Sequence, residues 1–465
     1  MAQSTLLATL LVALVATAKQ VEVAVAVLLP VASAVSDPVV LATLPDGCEL
    51  AGEGLELVTF APGGARVGFV ATKGDERVPM WTADGALESG EVFTYAHAPT
   101  FSDDGEHVAF CVCEALSKSR ERWSVLLDGK TQGKKDWIGS VRFWPGTADL
   151  VYWTQPGAKL GKDGFYEGGA YVLSVGKKKG KKWSNAGVQA KLVFAPDGRR
   201  GATLVSKGTS WSVLLVDRKK QDTDKAVSCF AQGLDLAADG ETWALAEIRG
   251  GGGFAGDRSE GGGRPQMAWV VRRGEEKLGA EFLSADQPVF APTGTRLAFR
   301  ARGESGYGVV VEGNEASELT FGFVTEVVWE PVGAGIPAGS EGLAFVVIDG
   351  GEAKPAARGP GAGEPEGGEA RVICLDGAGV KLPGGRPFLE IRDLAVAPGG
   401  ASARNLGYHA KDDKGWHLVH EWMVDEQPHI HVSEVFDALG PPVYTGEGFA
   451  AGALRGRELG WVAIP

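Results

Sequence analysis

Pro99-Thr-Phe-Ser-Asp-Asp-Gly-Glu-His-Val-Ala-Phe110 is an apolar pair ending in an aromatic residue, an acidic turn closed by glycine, and a second apolar run. The same construction returns as Val58-Thr-Phe-Ala-Pro-Gly-Gly-Ala-Arg-Val-Gly-Phe69 and as Pro288-Val-Phe-Ala-Pro-Thr-Gly-Thr-Arg-Leu-Ala-Phe299. Lys191-Leu-Val-Phe-Ala-Pro-Asp-Gly198 runs on into Ala202-Thr-Leu-Val205, and Leu234-Asp-Leu-Ala-Ala-Asp-Gly240 into Trp243-Ala-Leu-Ala246. Weaker copies begin at Val141-Arg-Phe-Trp-Pro-Gly146, Val327-Val-Trp-Glu-Pro331, Leu394-Ala-Val-Ala-Pro-Gly399 and Val443-Tyr-Thr-Gly446. Turn chemistry explains the recurrence. Proline pre-sets φ at the first turn position, aspartate bonds back to the local backbone, and glycine takes the φ > 0 conformation that other residues resist. The flanking runs are short, alternating, and rich in β-branched and aromatic residues, so they read as strands.

A second half-motif follows most copies. Trp123-Ser-Val-Leu-Leu-Asp-Gly-Lys130, Trp211-Ser-Val-Leu-Leu-Val-Asp217, Tyr307-Gly-Val-Val-Val-Glu-Gly313 and Trp416-His-Leu-Val419 share an aromatic residue leading an aliphatic run. The unit is therefore two hairpins in roughly 40 to 65 residues, the size of one propeller blade. The turn followed by Val-Ala-Phe resembles the repeat of TolB-like and WD-repeat-like propellers. The Trp-Ser-Val-Leu-Leu-Asp-Gly-Lys segment is similar to the outer strands of bacterial propellers of that group. The resemblance implies an all-β chain forming a single β-propeller of four-stranded blades over residues 38–465, and it specifies fold more than function.

Nine anchors stand near Phe60, Phe101, Phe143, Phe194, Leu236, Phe290, Trp329, Val396 and Tyr444. Propellers typically have four to eight blades. Eight is the favoured count, with one anchor irregular or merged; seven and nine stay open. The last anchor begins a short unit ending Gly460-Trp-Val-Ala-Ile-Pro465. The strand near Val39-Val-Leu-Ala42 is expected to share its blade and close the ring.

Composition bounds the function. The chain has 465 residues, 44% hydrophobic and 23% charged, enough to bury a core. Its net charge of −13 argues against a nucleic-acid partner, because phosphate contacts need clustered Lys and Arg. The basic runs 177–182 and 218–220 are read as solvated hairpin tips. Cys111 and Cys113 share a strand face and are read as buried free thiols. Residues 1–34 are read as a signal peptide or apolar N-terminal segment. The run from Leu6 to Val15 precedes small-residue sites at Ala16-Thr17-Ala18 and Ala32-Ser33-Ala34, so export is favoured over a cytoplasmic location. Lys19 and Glu22 interrupt the run, which is short for a membrane span. The Gly-rich stretch 250–265 and the Gly-, Pro- and Glu-rich stretch 352–369 are read as mobile insertions.

The chemistry-bearing signals are sparse. Gly208-Thr-Ser-Trp-Ser212 lacks the closing glycine of a nucleophile elbow, and no βα alternation remains to host a hydrolase domain. Asp103-Asp104 and Asp412-Asp413 sit at turns, where turn formation accounts for them without calcium. Four of the seven histidines fall between His417 and His431. His429 and His431 are two apart and share a strand face, a spacing that suits zinc or copper given further ligands. His417 and His420 are three apart and face opposite sides, with Glu421 and Asp425 nearby; solvation on an outer strand is the plainer reading of the four. No catalytic residue and no cofactor is implied. The favoured function is a non-catalytic module binding a protein, peptide or cell-envelope ligand. The alternative is a propeller enzyme, a lyase or hydrolase, with its site at the channel mouth; inward-facing carboxylates, His or Arg would mark it. A structural subunit of an envelope complex would instead show a broad exposed apolar patch.

Overall fold

The computed structural model describes residues 38–465 except 118–119, 163–165, 187–191, 228–231, 250–267, 313, 316–320, 332–340, 350–368, 376–380, 382–386, 399–403, 425–426 and 447. The N-terminal segment 1–34, the insertion 250–265 and nearly all of 352–369 thus lie outside the described residues.

The chain is an all-β propeller. Among the described residues nine antiparallel blade sheets succeed one another: blade 1 (49–89), blade 2 (95–135), blade 3 (138–183), blade 4 (185–227), blade 5 (232–282), blade 6 (284–315), blade 7 (323–375), blade 8 (390–432) and blade 9 (438–464 with 39–43); a tenth, two-stranded sheet of Lys159–Leu160 with Tyr166–Glu167 is inserted in the span of blade 3. The ring thus has nine blades, one of the counts left open beside the favoured eight. No anchor is merged, because each opens a sheet of its own by pairing with the first residue of the next strand, from Phe60 with Val67 to Tyr444 with Phe449. The short C-terminal unit is completed by the N-terminal strand Val39–Thr43, which pairs Val39 with Trp461 and Thr43 with Glu458. This pairing joins the two ends of the described chain in one blade, with Val39–Thr43 as its outer edge strand.

The repeated turn folds as its residues require. In blade 2 the Ser102 N–H bonds the His107 carbonyl and the Gly105 N–H bonds the Ser102 carbonyl, with Gly105 at φ +72°. Blades 1, 4 and 5 repeat the same pair of bonds at Ala61, Ala195 and Ala237. The outer hairpin of blade 2 turns on Asp128 and Gly129 at φ +46° and +75°. Positive φ at both central residues defines the type I′ turn that matches strand twist.

The core is divided among the seams. Nine separate apolar clusters lie at nine junctions: Val70 and Trp81 meet Phe101 and Phe110 between blades 1 and 2, and Leu418 meets Phe449 and Val462 between blades 8 and 9. A blade's second strand is therefore covered on both faces, which is why Val67–Lys73 begins with five buried residues in a row. An inter-blade staple joins these seams. Arg66 lies over the Phe101 ring and its Nη1 donates to the carbonyls of Gly105 and Glu106 at 2.8 and 2.6 Å. Arg296 likewise covers Trp329, and His107 stacks on Phe143.

Candidate functional site

The inner strands of blades 5 to 9 converge on a recess of about 480 Å3. Four inner strands carry a bulge with one residue at positive φ: Ser140, Gly233, Gln287 and Asp393. A bulge re-aims side chains toward the channel, and the recess receives apolar Leu234, Val289, Val327 and Leu394 beside the carboxylates Asp235, Glu326 and Asp393. Two of these carboxylates are engaged by backbone. The Phe290 N–H donates to Asp235 Oδ2 at 2.8 Å. The N–H groups of Asp393 and Leu394 donate to Glu326 at 2.9 and 2.7 Å. Each bond joins one blade to the next. Burial raises the pKa of both carboxyls, the backbone bonds oppose that rise, and Asp393 adds to it at Glu326.

Asp393 links this recess to a larger groove of about 920 Å3 where blades 8, 9 and 1 meet. The inner edge of blade 9, Ala438-Leu-Gly-Pro-Pro-Val-Tyr444, lines this groove as two two-residue strands, an interruption that the inner edges of blades 1 and 2 share. Proline has no N–H to donate to a ladder, and glycine presents no side chain. Its floor is aromatic: Phe60 meets Trp461 at 6.0 Å between centroids, and a Cβ at Gly452 would fall 2.1 Å from the Phe60 ring. Trp416 lies between Arg392 and Lys411, 5.3 and 5.4 Å from its centroid. Glu53, Glu56, Asp393 and Asp437 outnumber Arg392 among the lining charges. His409, 2% exposed, lines the same groove. Its Nδ1 lies 3.1 Å from Asp393 Oδ2, and its Nε2 is buried without a partner. Other buried side-chain atoms, Arg404 Nη1 and Trp183 Nε1 among them, also lack a partner, but among the described residues His409 Nε2 is the one whose residue lines this groove.

The sequence reading did not single out His409, Asp393, Trp416 or Phe60 as a site. A signal was available: His409 is the fourth residue after the turn in its strand, where the other repeats carry Val70, Cys111, Trp153, Leu204, Ala246, Arg300, Val346 and Gly452.

The histidines that were singled out divide as strand alternation requires. His420 pairs with His431 and Trp422 with His429, so these four share one face. His417 lies on the other face with its Nδ1 2.8 Å from the Ser433 carbonyl and its Nε2 3.1 Å from Asp412 Oδ1. Trp422 sits among His420, His429 and His431 with centroids 4.5, 5.6 and 4.7 Å away. Both nitrogens of His420 are engaged, Nδ1 by the Pro465 carbonyl and Nε2 by Asn405 Oδ1 at 2.8 Å. Among the described residues no three His, Cys, Asp or Glu side chains converge as metal ligands. The solvated reading fits His429 and His431, which are exposed, but not His417 and His420, which are 6% and 4% exposed. Glu421 turns inward to Arg404, and Asp425 lies outside the described residues.

Asp104 and Asp412 cap their turns through Glu106 N–H and Lys414 N–H, while Asp103 accepts Gly146 N–H from the next blade. Cys111 and Cys113 are buried free thiols, and burial pushes the Cys113 thiol up to about 12. The run 177–182 is not only a tip: Lys178–Trp183 forms the outermost strand of blade 3. No helix among the described residues is long and apolar enough to cross a membrane.

No family model and no curated protein matches the chain. Solved structures do match in fold. The β-propeller domain of the Trilobed protease from Pyrococcus furiosus is 12% identical, covering 72% of this chain and 97% of that one, with a TM-score of 0.36. TolB from Acinetobacter baumannii is 14% identical over 53% of this chain and 61% of its own, with a TM-score of 0.27. A eukaryotic initiation factor is 12% identical over 86% and 95%, with a TM-score of 0.45.

Proposed function

We propose that this propeller is a non-catalytic binding module that takes a segment of a protein or peptide in the groove shared by blades 8, 9 and 1. The carrying observation is the groove's make-up: an aromatic floor, an acidic rim and one buried imidazole nitrogen without a partner. A large recess with a few convergent polar groups is where a ligand gains both burial and orientation. Phe60, Trp416 and Trp461 suit an apolar or aromatic side chain. The excess of carboxylates suits a basic or N–H-rich one, and His409 Nε2 suits a single hydrogen bond.

One observation favours the enzyme reading: a carboxylate against Nδ1 with Nε2 free is how an imidazole is oriented for proton transfer. Against it, Asp235 and Glu326, the carboxylates best placed to supply an acid partner, are held by backbone N–H groups.

A displayed random peptide library selected on the purified protein tests the proposal. Enriched peptides are expected to lose affinity by roughly tenfold or more against Trp416→Ala and against His409→Ala. Selection that yields nothing, or peptides indifferent to both variants, overturns it. Chemical turnover of an enriched ligand that stops in His409→Ala transfers the site to the enzyme reading.

A further inference from the structure

The protein carries net charge −13, yet its outer rim over blades 2 to 4 is basic. Lys130, Lys134 and Lys135 lie on the outermost strand of blade 2 (Lys130–Lys135). Lys178, Lys179, Lys181 and Lys182 lie on that of blade 3. Arg218, Lys219 and Lys220 form the neighbouring tip of blade 4, between Ser210–Val216 and Gln221–Val227. All are exposed except half-buried Lys135. Among the described residues only Arg218 of this set has an ion-pair partner, Asp149.

Lysine on an edge strand has a bland explanation, since it deters strand-to-strand aggregation. The same molecule shows how little that requires. The outermost strands Ala86–Ser89, Asn314–Glu315, Gln427–Val432 and Val39–Thr43 carry no lysine, and Gln221–Val227 and Glu276–Phe282 carry one each. Three and four lysines on two adjacent outer strands exceed that need.

The lysines also line two successive grooves. The first, about 680 Å3 between blades 2 and 3, has Lys134, Lys135, Lys179 and Lys182 on its walls and Val125, Leu150, Tyr152 and Val172 deeper in. The second, about 480 Å3 between blades 3 and 4, is lined by Lys178, Lys181, Lys219 and Lys220. A planar bilayer surface cannot follow such concave walls. A nucleic acid is better read by free arginine forks and exposed aromatic platforms. The arginine here is tied to Asp149 and the tyrosine is half-buried.

We propose that this rim docks an extended acidic segment of a protein partner. Alternation along a strand would send carboxylates to the lysines and apolar side chains to the floor of the first groove. This surface is separate from the groove at blades 8, 9 and 1, so either proposal can fail without the other.

The test is fluorescence anisotropy with a labelled peptide of alternating glutamate and leucine, competed by oligothymidylate and by phosphatidylserine vesicles. Lys134, Lys135, Lys179 and Lys182 changed together to Gln should weaken the peptide by roughly tenfold or more and flatten its salt dependence. A charge-matched control changes exposed Lys73, Lys207, Lys277 and Lys414 to Gln and should leave affinity within about twofold. Thermal melts of both variants check folding. Equal weakening by both, or a rim that binds oligothymidylate or vesicles while ignoring the peptide, overturns the proposal.

Discussion

Blades 6 and 8 are copies of one repeat, and each places a basic side chain where the other seven carry an apolar residue, a buried thiol or glycine. In blade 6, Arg300 completes its bonds. It grips Asp286 with two nitrogens at 2.6 and 2.5 Å and donates a third bond to the Val324 carbonyl of the next blade. In blade 8, His409 meets Asp393 through one nitrogen and leaves the other buried and unpartnered. The next blade explains the difference. Blade 7 offers Arg300 one continuous inner strand, Phe323–Trp329, bulged after Val324, whereas blade 9 offers His409 the edge interrupted around Gly440, Pro441 and Pro442. The same substitution thus staples one seam and opens another. Blade 8 is polar inside as well: Arg404, His409, His417, His420 and Glu421 are all under 9% exposed.

The largest effect is expected at that buried network. Glu421 accepts Arg404 Nε at 2.5 Å and Tyr408 Oη–H at 2.9 Å, and Arg404 has no exposure. Glu421→Ala strands a buried guanidinium and should cost about 3–5 kcal/mol in urea unfolding. Asp286→Ala in blade 6 should cost less, about 1–3 kcal/mol, because its pair retains some solvent contact. Equal costs would erase the contrast between the blades.

Next comes the shared position itself. Arg300→Leu should destabilise by about 2 kcal/mol, since Asp286 and the Val324 carbonyl lose their donors. His409→Leu should instead raise stability by about 1 kcal/mol by removing an unsatisfied polar atom, while weakening peptide binding by roughly tenfold or more. A His409→Leu variant as destabilised as Arg300→Leu would show the imidazole to be structural. The inter-blade staple is a smaller term: Arg66→Ala should cost about 1 kcal/mol by thermal unfolding.

The smallest effect is a pH dependence. Burial lowers the pKa of His420 below its ordinary value, with His431 adding to the shift and the bond to the Pro465 carbonyl opposing it. Its stabilisation is present above the unfolded-state value near 6.5 and is lost as pH falls through that value toward the lower folded one. His420→Gln should therefore flatten the fall in stability measured between about pH 7 and pH 5. Glu326 has the opposite sign, because its pKa is raised: its contribution is full below the ordinary carboxyl value and fades as pH rises.

Local chemistry made much of this legible. Anchors such as Phe101 and Phe290 and turns such as Ser102-Asp-Asp-Gly105 follow from turn preference and alternation, which act over a few residues; the pairing of Val39 with the last blade follows instead from the short last unit, which lacks a strand. The sequence admits nine blades without singling that count out from seven or eight. Nothing local distinguishes a weak copy such as Leu394-Ala-Val-Ala-Pro-Gly399 from a missing one, and only pairing does. Strand spacing already set His417 and His420 on opposite faces, as the sheet does, but it gave no reason to single out His409, which has no histidine within seven residues of it.

What the sequence by itself determined is the repeat: strand, glycine turn, strand, in a chain with enough copies to close a ring. Backbone φ preference and apolar alternation are properties of single residues and their neighbours, so they can be read without coordinates. Which seams are sealed and which stay open was decided only in the tertiary structure. A groove belongs to two or three blades at once, and the partner that completes Arg300 and the one that fails His409 come from elements that meet only when the ring is assembled.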